Sequence, residues 1–324
     1  MSTVWGVLRR PTAIVLLAGA LVACESDRPE ELSAVNVAPP SFVPPQSNVN
    51  ITNPTLRVEF NDEVDPGESL TLVFSDEFDS VAGLDPEVWF FETGDGTEYG
   101  IPGWGNNELQ YYLPDNAELE GGMLKITARA EETIARVGNQ TQIFDYTSAR
   151  INTRDRFAFR YGRIEARIKL PAGQGMWPAF WLLSQDSPYG SWAASGEIDI
   201  MEAVNLGGVG GNNVFGTLHY GDFFPGNVFT GQTYTVPSSA TDEFHVYAIE
   251  WDANEIRWYV DDVLYSMQNS WFSTQGPYPA PFDHQFYIIL NVAVGGNLPG
   301  PPNAGTVFPA TMEVDWVRVY SGEP

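Results

Sequence analysis

From about residue 71 onward, apolar and polar residues alternate in short runs broken by Gly, Pro, Asn and Asp. Residues 162–170, 244–251 and 312–320 each follow this two-residue rhythm, which predicts strands with one buried face. Residues 286–294 are apolar on both faces, as expected of a strand held between two packed layers. Two runs, 256–260 and 263–267, are separated only by Asp261-Asp262, and Asp tolerates the left-handed backbone of a tight hairpin turn. No 12-residue window combines helical periodicity with caps and freedom from Gly and Pro. No repeat appears at 20–50 residues. The pattern predicts an all-β chain: a sandwich of two antiparallel sheets rather than an open one-sided sheet.

The 324 residues include 31 Gly, 24 Pro, 10 Trp, 14 Tyr and 19 Phe, the composition of a turn-rich β protein. Sixteen Lys and Arg against 42 Asp and Glu give a net charge of −26. Such a surface repels phosphate backbones, so nucleic acid is not an expected partner, and polyanionic sugars are disfavoured substrates. The N-terminus reads as an export signal over residues 1–23: Arg9 and Arg10 supply the basic start, and residues 13–22 form an apolar stretch too short to span a bilayer. Leu21-Val22-Ala23-Cys24 resembles a bacterial lipoprotein box, in which cleavage falls before the cysteine and the cysteine carries lipid. Cys24 is the chain's one cysteine, so the folded part has no disulfide. Six prolines fall within residues 25–55, and residues 24–70 read as a tether, although 56–60 alternate like an edge strand. The folded domain is expected over 71–322.

The segment Gly196-Glu197-Ile198-Asp199-Ile200-Met201-Glu202 carries the candidate chemistry. On a regular strand Glu197 and Asp199 share a face, while Glu202 points the other way. One β-bulge near Ile200-Met201 restores the phase and turns all three acids to one side. Three neighbouring carboxylates repel one another, which marks a functional site rather than a folding preference. Two uses compete: a retaining glycosidase pair, with carboxyls roughly 5–5.5 Å apart, or a calcium site. For the first, four strand steps separate the outer backbones by roughly 13 Å, so the sheet must be concave and the Glu side chains must lean inward. Trp177, Trp181 and Trp192 close by offer flat apolar faces, with N–H donors at the edge, for sugar rings.

Together with Trp177-Pro178-Ala179-Phe180-Trp181, this segment resembles glycoside hydrolase family 16 in its bulged-motif branch. Further matching stretches are Phe74-Ser75-Asp76-Glu77-Phe78, the run from Gly103 to Tyr112, Ser148-Ala149-Arg150-Ile151, Gly216-Thr217-Leu218-His219-Tyr220 and Asn291 to Asn297. Within the family the chain is most similar to bacterial laminarinases. The resemblance implies a β-jelly-roll with a concave substrate cleft and endo-acting, retaining hydrolysis of β-1,3-glucan. It assigns Glu197 as nucleophile, Glu202 as general acid/base and Asp199 as the residue that hydrogen-bonds the nucleophile. Asn106 and Arg150 match sugar-binding positions on the glycone side. Trp177, Trp181, Trp192 and Asn297 would line the cleft, and His219 would face the leaving group. Many relatives carry Trp after the Gly-Gly-Asn run, where this chain has Leu298. Glu77 and Asp315 match positions that help hold a structural calcium; catalysis itself needs no cofactor. Mixed-linkage β-1,3-1,4-glucan or a marine galactan is the alternative substrate, and a transglycosylase or a non-catalytic glucan-binding protein the alternative role. The expected setting is the bacterial cell envelope, outside the cytoplasm, with a β-glucan and the membrane (through lipid on Cys24) as partners and the chain acting as a monomer.

Overall fold

The computed structural model describes residues 70–322. The predicted export signal, Cys24 and all but the last residue of the tether lie outside the described residues. The described residues form strands β1 (Thr71–Asp76), β2 (Phe90–Glu92), β3 (Gln110–Tyr112), β4 (Ala117–Leu119), β5 (Leu124–Ala128), β6 (Thr133–Val137) and β7 (Gln140–Phe144). Next come β8 (Tyr146–Ser148), β9 (Arg150–Asn152), β10 (Ala158–Phe159), β11 (Gly162–Lys169), β12 (Met176–Ser184), β13 (Glu197–Glu202) and β14 (Asn213–Tyr220). The last are β15 (Val228–Thr235), β16 (His245–Trp251), β17 (Ile256–Val260), β18 (Val263–Gln268), β19 (Phe286–Val294) and β20 (Ala310–Ser321).

Two eight-stranded antiparallel sheets pack face to face as a jelly-roll. One runs β18-β17-β16-β11-β20-β5-β4, with β1 also on β20; the other runs β15-β14-β13-β12-β19-β9-β2, with β10 also on β19. The second carries the acids on its central strand, β13. Alternation sets this arrangement. In β11, Ile164, Ala166 and Ile168 are fully buried between the layers. All nine residues of β19 are buried, as its two-faced apolar run predicts. Each fully buried Leu, Ile or Phe contributes roughly 1.5–3 kcal/mol, and this area holds together a domain with no disulfide. The β17–β18 hairpin turns as expected, with Asp261 and Asp262 both left-handed, at φ 50° and 61°. Buried charge in this sandwich is paired: Arg163 meets Glu165, Glu250 and Asp262.

Candidate active site

The bulge predicted in β13 is present. Against β14, Glu197 pairs with His219 and Asp199 with Thr217, and then the register jumps so that Glu202 pairs with Phe215. Against β12, Trp181 pairs with Asp199 and Phe180 with Met201, leaving Ile200 unmatched. Ile198, Ile200 and Met201 are all buried in the core. Two consecutive core residues in one strand are what the extra residue makes room for, and their burial turns Glu202 back to the face of Glu197. Trp258, reaching across from the other sheet, donates its indole N–H to the Asp199 carbonyl at 2.8 Å, giving a partner to backbone at the start of the bulge. Just before the strand, Gly196 adopts φ +80°; a Cβ there would lie 2.8 Å from the Phe282 ring.

Each glutamate is held by a tryptophan. Trp192 Nε1 donates to Glu197 Oε2 at 2.8 Å, and Trp177 Nε1 donates to Glu202 Oε1 at 2.8 Å. Between them, His219 Nε2 lies 3.3 Å from Asp199 Oδ2 and 3.6 Å from Glu197 Oε1. Asp199 Oδ2 and His219 Nδ1 are buried without a well-aligned hydrogen-bond partner. The Asp199 carboxyl thus meets the imidazole that also faces Glu197. The imidazole of His219 lies against both carboxyls and offsets the charge gathered there.

Burial, and then the charge of Asp199, push the Glu197 carboxyl up to about 7, while His219 and the Trp192 N–H pull it down. Burial and the charges of Asp199 and Glu197 hold Glu202 well above the usual carboxylate range, against the pull of the Trp177 N–H. Burial draws His219 down, but its contact with Asp199 and the charges of Glu197 and Asp199 outweigh that and raise it to about 9. Glu197 therefore ionises before Glu202. The site can hold one carboxylate and one carboxylic acid at once, the division of labour that two-carboxyl glycoside cleavage requires. Glu197, Asp199 and His219 also bring ligand atoms within 4.8 Å of one another. Near neutral pH the proton on His219 makes it a counter-ion to the carboxyls it faces.

The remaining predicted residues form the wall on the β12–β19–β9 side. Trp181 Nε1 donates to Asn291 Oδ1 at 2.8 Å. Asn291 Nδ2 donates to Tyr112 Oη at 3.2 Å, and that hydroxyl donates to Glu108 Oε2 at 3.2 Å. Glu108 also accepts from Gln110 and Asn106. Arg150 is not a surface charge. It pairs with Glu92, is only 6% exposed, and stacks over Trp104 at 4.6 Å and Trp181 at 4.8 Å. Asn297 donates its backbone N–H to the Asn106 carbonyl at 2.8 Å, and its side chain accepts from Asn107. At Gly296, next to it, a Cβ would lie 3.4 Å from the Trp177 ring, so this loop closes against the cleft. Leu298, standing in for the expected Trp, is half exposed. Sequence reading passed over Glu108, Tyr112 and Trp104 inside a stretch it had already matched; only their convergence in space distinguishes them.

Glu77 and Asp315 are elsewhere, each engaged by a guanidinium. Glu77 takes a two-pronged pair from Arg318 at 2.9 and 2.8 Å, and Asp315 pairs with Arg167 at 2.6 Å. Carboxylates neutralised in this way are poor calcium ligands, and their partners lend that expectation no support.

Residues 99–318 match the model of glycosyl hydrolases family 16. The chain belongs to this family. It is 41% identical over 296 residues to glucan endo-1,3-beta-glucosidase A1 of Niallia circulans, covering 87% of this chain and 41% of that protein. It is 42% identical over 278 residues to a beta-glucanase of Rhodothermus marinus, covering 80% of this chain and 88% of that one. In structure the chain is similar to the laminarinase catalytic domain of Thermotoga maritima, with a TM-score of 0.70 and 41% identity over 79% of this chain and all of that domain.

Proposed function

We propose that this family 16 protein is an endo-acting, retaining hydrolase of β-1,3-glucan. One observation carries the mechanism: a bulge turns Glu197 and Glu202 to one face, and their surroundings keep them in different protonation states. Glu197, ionised, attacks the anomeric carbon. Glu202, protonated, gives its proton to the departing glycosidic oxygen, then takes one from the water that releases the sugar. Trp192 and Trp177 orient the two carboxyls, and His219 balances Asp199. The kinship to β-1,3-glucan-cleaving relatives supports the substrate, and the wall built on Trp181, Arg150, Asn106 and Trp177 offers the aromatic and amide surface a glucose chain needs. Both glutamates stand in place, which favours hydrolysis over the role of a glucan-binding shell.

Wild-type protein is expected to release oligosaccharides of mixed length from laminarin, faster than from lichenan or agarose. The first-formed reducing ends should be β by proton NMR. Faster release from lichenan or agarose would reassign the substrate, and α ends would remove Glu197 as nucleophile. We further propose that lipid on Cys24 anchors the protein, working as a monomer, in the cell envelope outside the cytoplasm. Cys24→Ser should then move it from the membrane to the soluble fraction, and continued membrane retention would refute the anchor.

A further inference from the structure

Trp192, which holds the nucleophile through its 2.8 Å bond to Glu197 Oε2, sits on a loop rather than a strand. The loop joins β12 to β13 over residues 185–196, and Trp192 itself is 40% exposed. A half-exposed ring on a loop keeps its N–H on one carboxyl oxygen only if the backbone beneath it is pinned. Just after Trp192 it is pinned by packing: Ala193 and Ala194 are fully buried, and Ala194 donates its N–H to the Ser191 carbonyl at 2.9 Å. Before Trp192, residues 186–191 are exposed or half-buried, so that half of the loop depends on side-chain bonds.

Tyr189 ties this outer half down. Its hydroxyl donates to Asp283 Oδ2 at 2.7 Å. Its N–H donates to Ser195 Oγ at 3.0 Å, and that hydroxyl donates to the Gly190 carbonyl at 2.6 Å. The Tyr189 ring stands edge-on to His284 at 5.8 Å and covers Gly276, where a Cβ would fall 2.6 Å from it. Asp283 lies on the segment that leads into β19, on the far side of β12 from β13. The Tyr189–Asp283 bond therefore straps the loop to a third element, beyond the two strands it joins. Asp283 is held in turn: its carbonyl accepts from Arg160 at 3.3 Å, and its Oδ1 lies 3.5 Å from His284 Nδ1. At the start of the loop, Ser184 Oγ accepts the Ser187 N–H at 2.9 Å and lies 2.7 Å from His284 Nε2. Burial, then the bond to Asp283 and its charge, push the Tyr189 hydroxyl up to about 12, so it stays a donor where Glu197 ionises.

We propose that Tyr189 and Asp283 are positioning residues for the nucleophile: their bond fixes the 185–196 loop and so keeps the Trp192 N–H on Glu197. This rests on the hydrolytic reading above, in which Glu197 attacks the sugar. The N–H does two things there. It favours the ionised carboxyl, because a donor stabilises the charged form, and it sets which way the carboxyl points. Without the strap Trp192 turns away, and Glu197 keeps its proton to higher pH. The charged groups facing Glu197 are Asp199 and Glu202 on its own strand, His219 on β14 and Arg150 on β9. Among the described residues, Tyr189 and Asp283 bond to none of these, so their influence runs through Trp192.

The test measures kcat/KM for laminaripentaose across pH in wild type, Tyr189→Phe, Trp192→Phe and the double variant, each checked for folding by circular dichroism and thermal unfolding. Tyr189→Phe removes one hydroxyl, changes no charge and keeps the ring over Gly276. It should lower kcat/KM about tenfold on the acid side, the worth of one hydrogen bond to a charged group. The acid limb should move to higher pH, while the alkaline limb, set by Glu202 and Trp177, stays in place. Because both residues act through one N–H, Tyr189→Phe should move the acid limb no further once residue 192 is Phe. An acid limb unmoved in either single variant, whatever the loss of rate, or shifts that add in the double variant, overturns the positioning role and leaves the hydrolase reading intact. A wild type that cleaves neither the pentaose nor laminarin overturns the hydrolase reading itself.

Discussion

Replacing Glu197 by Gln should abolish hydrolysis and, at alkaline pH, make the protein more stable. The folded protein holds this carboxyl at about 7, against an ordinary value of 4.5, because it is buried and faces Asp199. The folded state thus binds the proton more tightly than the unfolded chain does. The resulting cost to stability is absent below 4.5, grows as pH rises, and is complete above about 7. At about 1.4 kcal/mol per unit, the upper bound at pH 8 is on the order of 3 kcal/mol. The Gln amide keeps an oxygen for the Trp192 N–H but loses part of the His219 attraction, so a net gain of about 1–3 kcal/mol is expected. For a domain of this size each kcal/mol moves the melting temperature by about 2–4 °C, giving a rise on the order of 5 °C. Calorimetry at pH 8 and pH 5 separates this effect from a general packing gain, because linkage leaves only roughly a quarter of it at pH 5. An equal rise at both pH values, or a fall at pH 8, would refute the claim that the nucleophile is held at electrostatic cost.

Three further outcomes follow from the same geometry. The kcat/KM of the wild type should rise toward pH 7 as Glu197 ionises and fall where Glu202 loses its proton; His219→Asn removes a charge that lowers both, so both limbs of the profile should move to higher pH. Trp177→Phe removes the N–H that lowers Glu202, so the alkaline limb alone should move up; an unmoved limb would mean that bond is idle. In Gly216→Ala the new Cβ would meet the Trp258 ring at 2.2 Å and push away the indole that serves the Asp199 carbonyl. A loss of about 1–3 kcal/mol in thermal unfolding is expected together with reduced activity, and an unchanged variant would show that Trp258 is not what holds the bulge.

How much of this was readable in advance depended on the range of the interaction. The strands of residues 162–170, 244–251 and 286–294 declared themselves because alternation is a local signal and the structure only had to agree with it. The bulge was readable because Glu197 and Glu202, five positions apart, share a face only if one residue is extra. The Asp199–His219 contact was not readable. Resemblance sets the strand of His219 beside the acids, but the register that pairs His219 with Glu197 is encoded by no run of residues within either strand. Arg150 shows the same limit. Resemblance marks it as a sugar-binding position, but only the pairing of β9 with β19 brings it between Trp104 and Trp181.

The core and the chemistry are joined at Ile200 and Met201. An unbulged strand would bury every second residue, point Glu202 into the apolar layer beside Phe180 and Trp258, and expose one of these two side chains. The bulge thus buries one more of them, worth roughly 1.5–3 kcal/mol in transfer free energy. That gain opposes the cost of burying the carboxyls and setting them beside one another, which together raise Glu197 and Glu202 above the usual carboxylate range. The acids are therefore kept together by residues that never touch substrate. A substitution that makes position 200 or 201 polar should lose activity through register before it loses the fold, because the sandwich retains β19 and β12 while the pairing of β13 is free to slip by one residue and carry Glu202 out of the cleft.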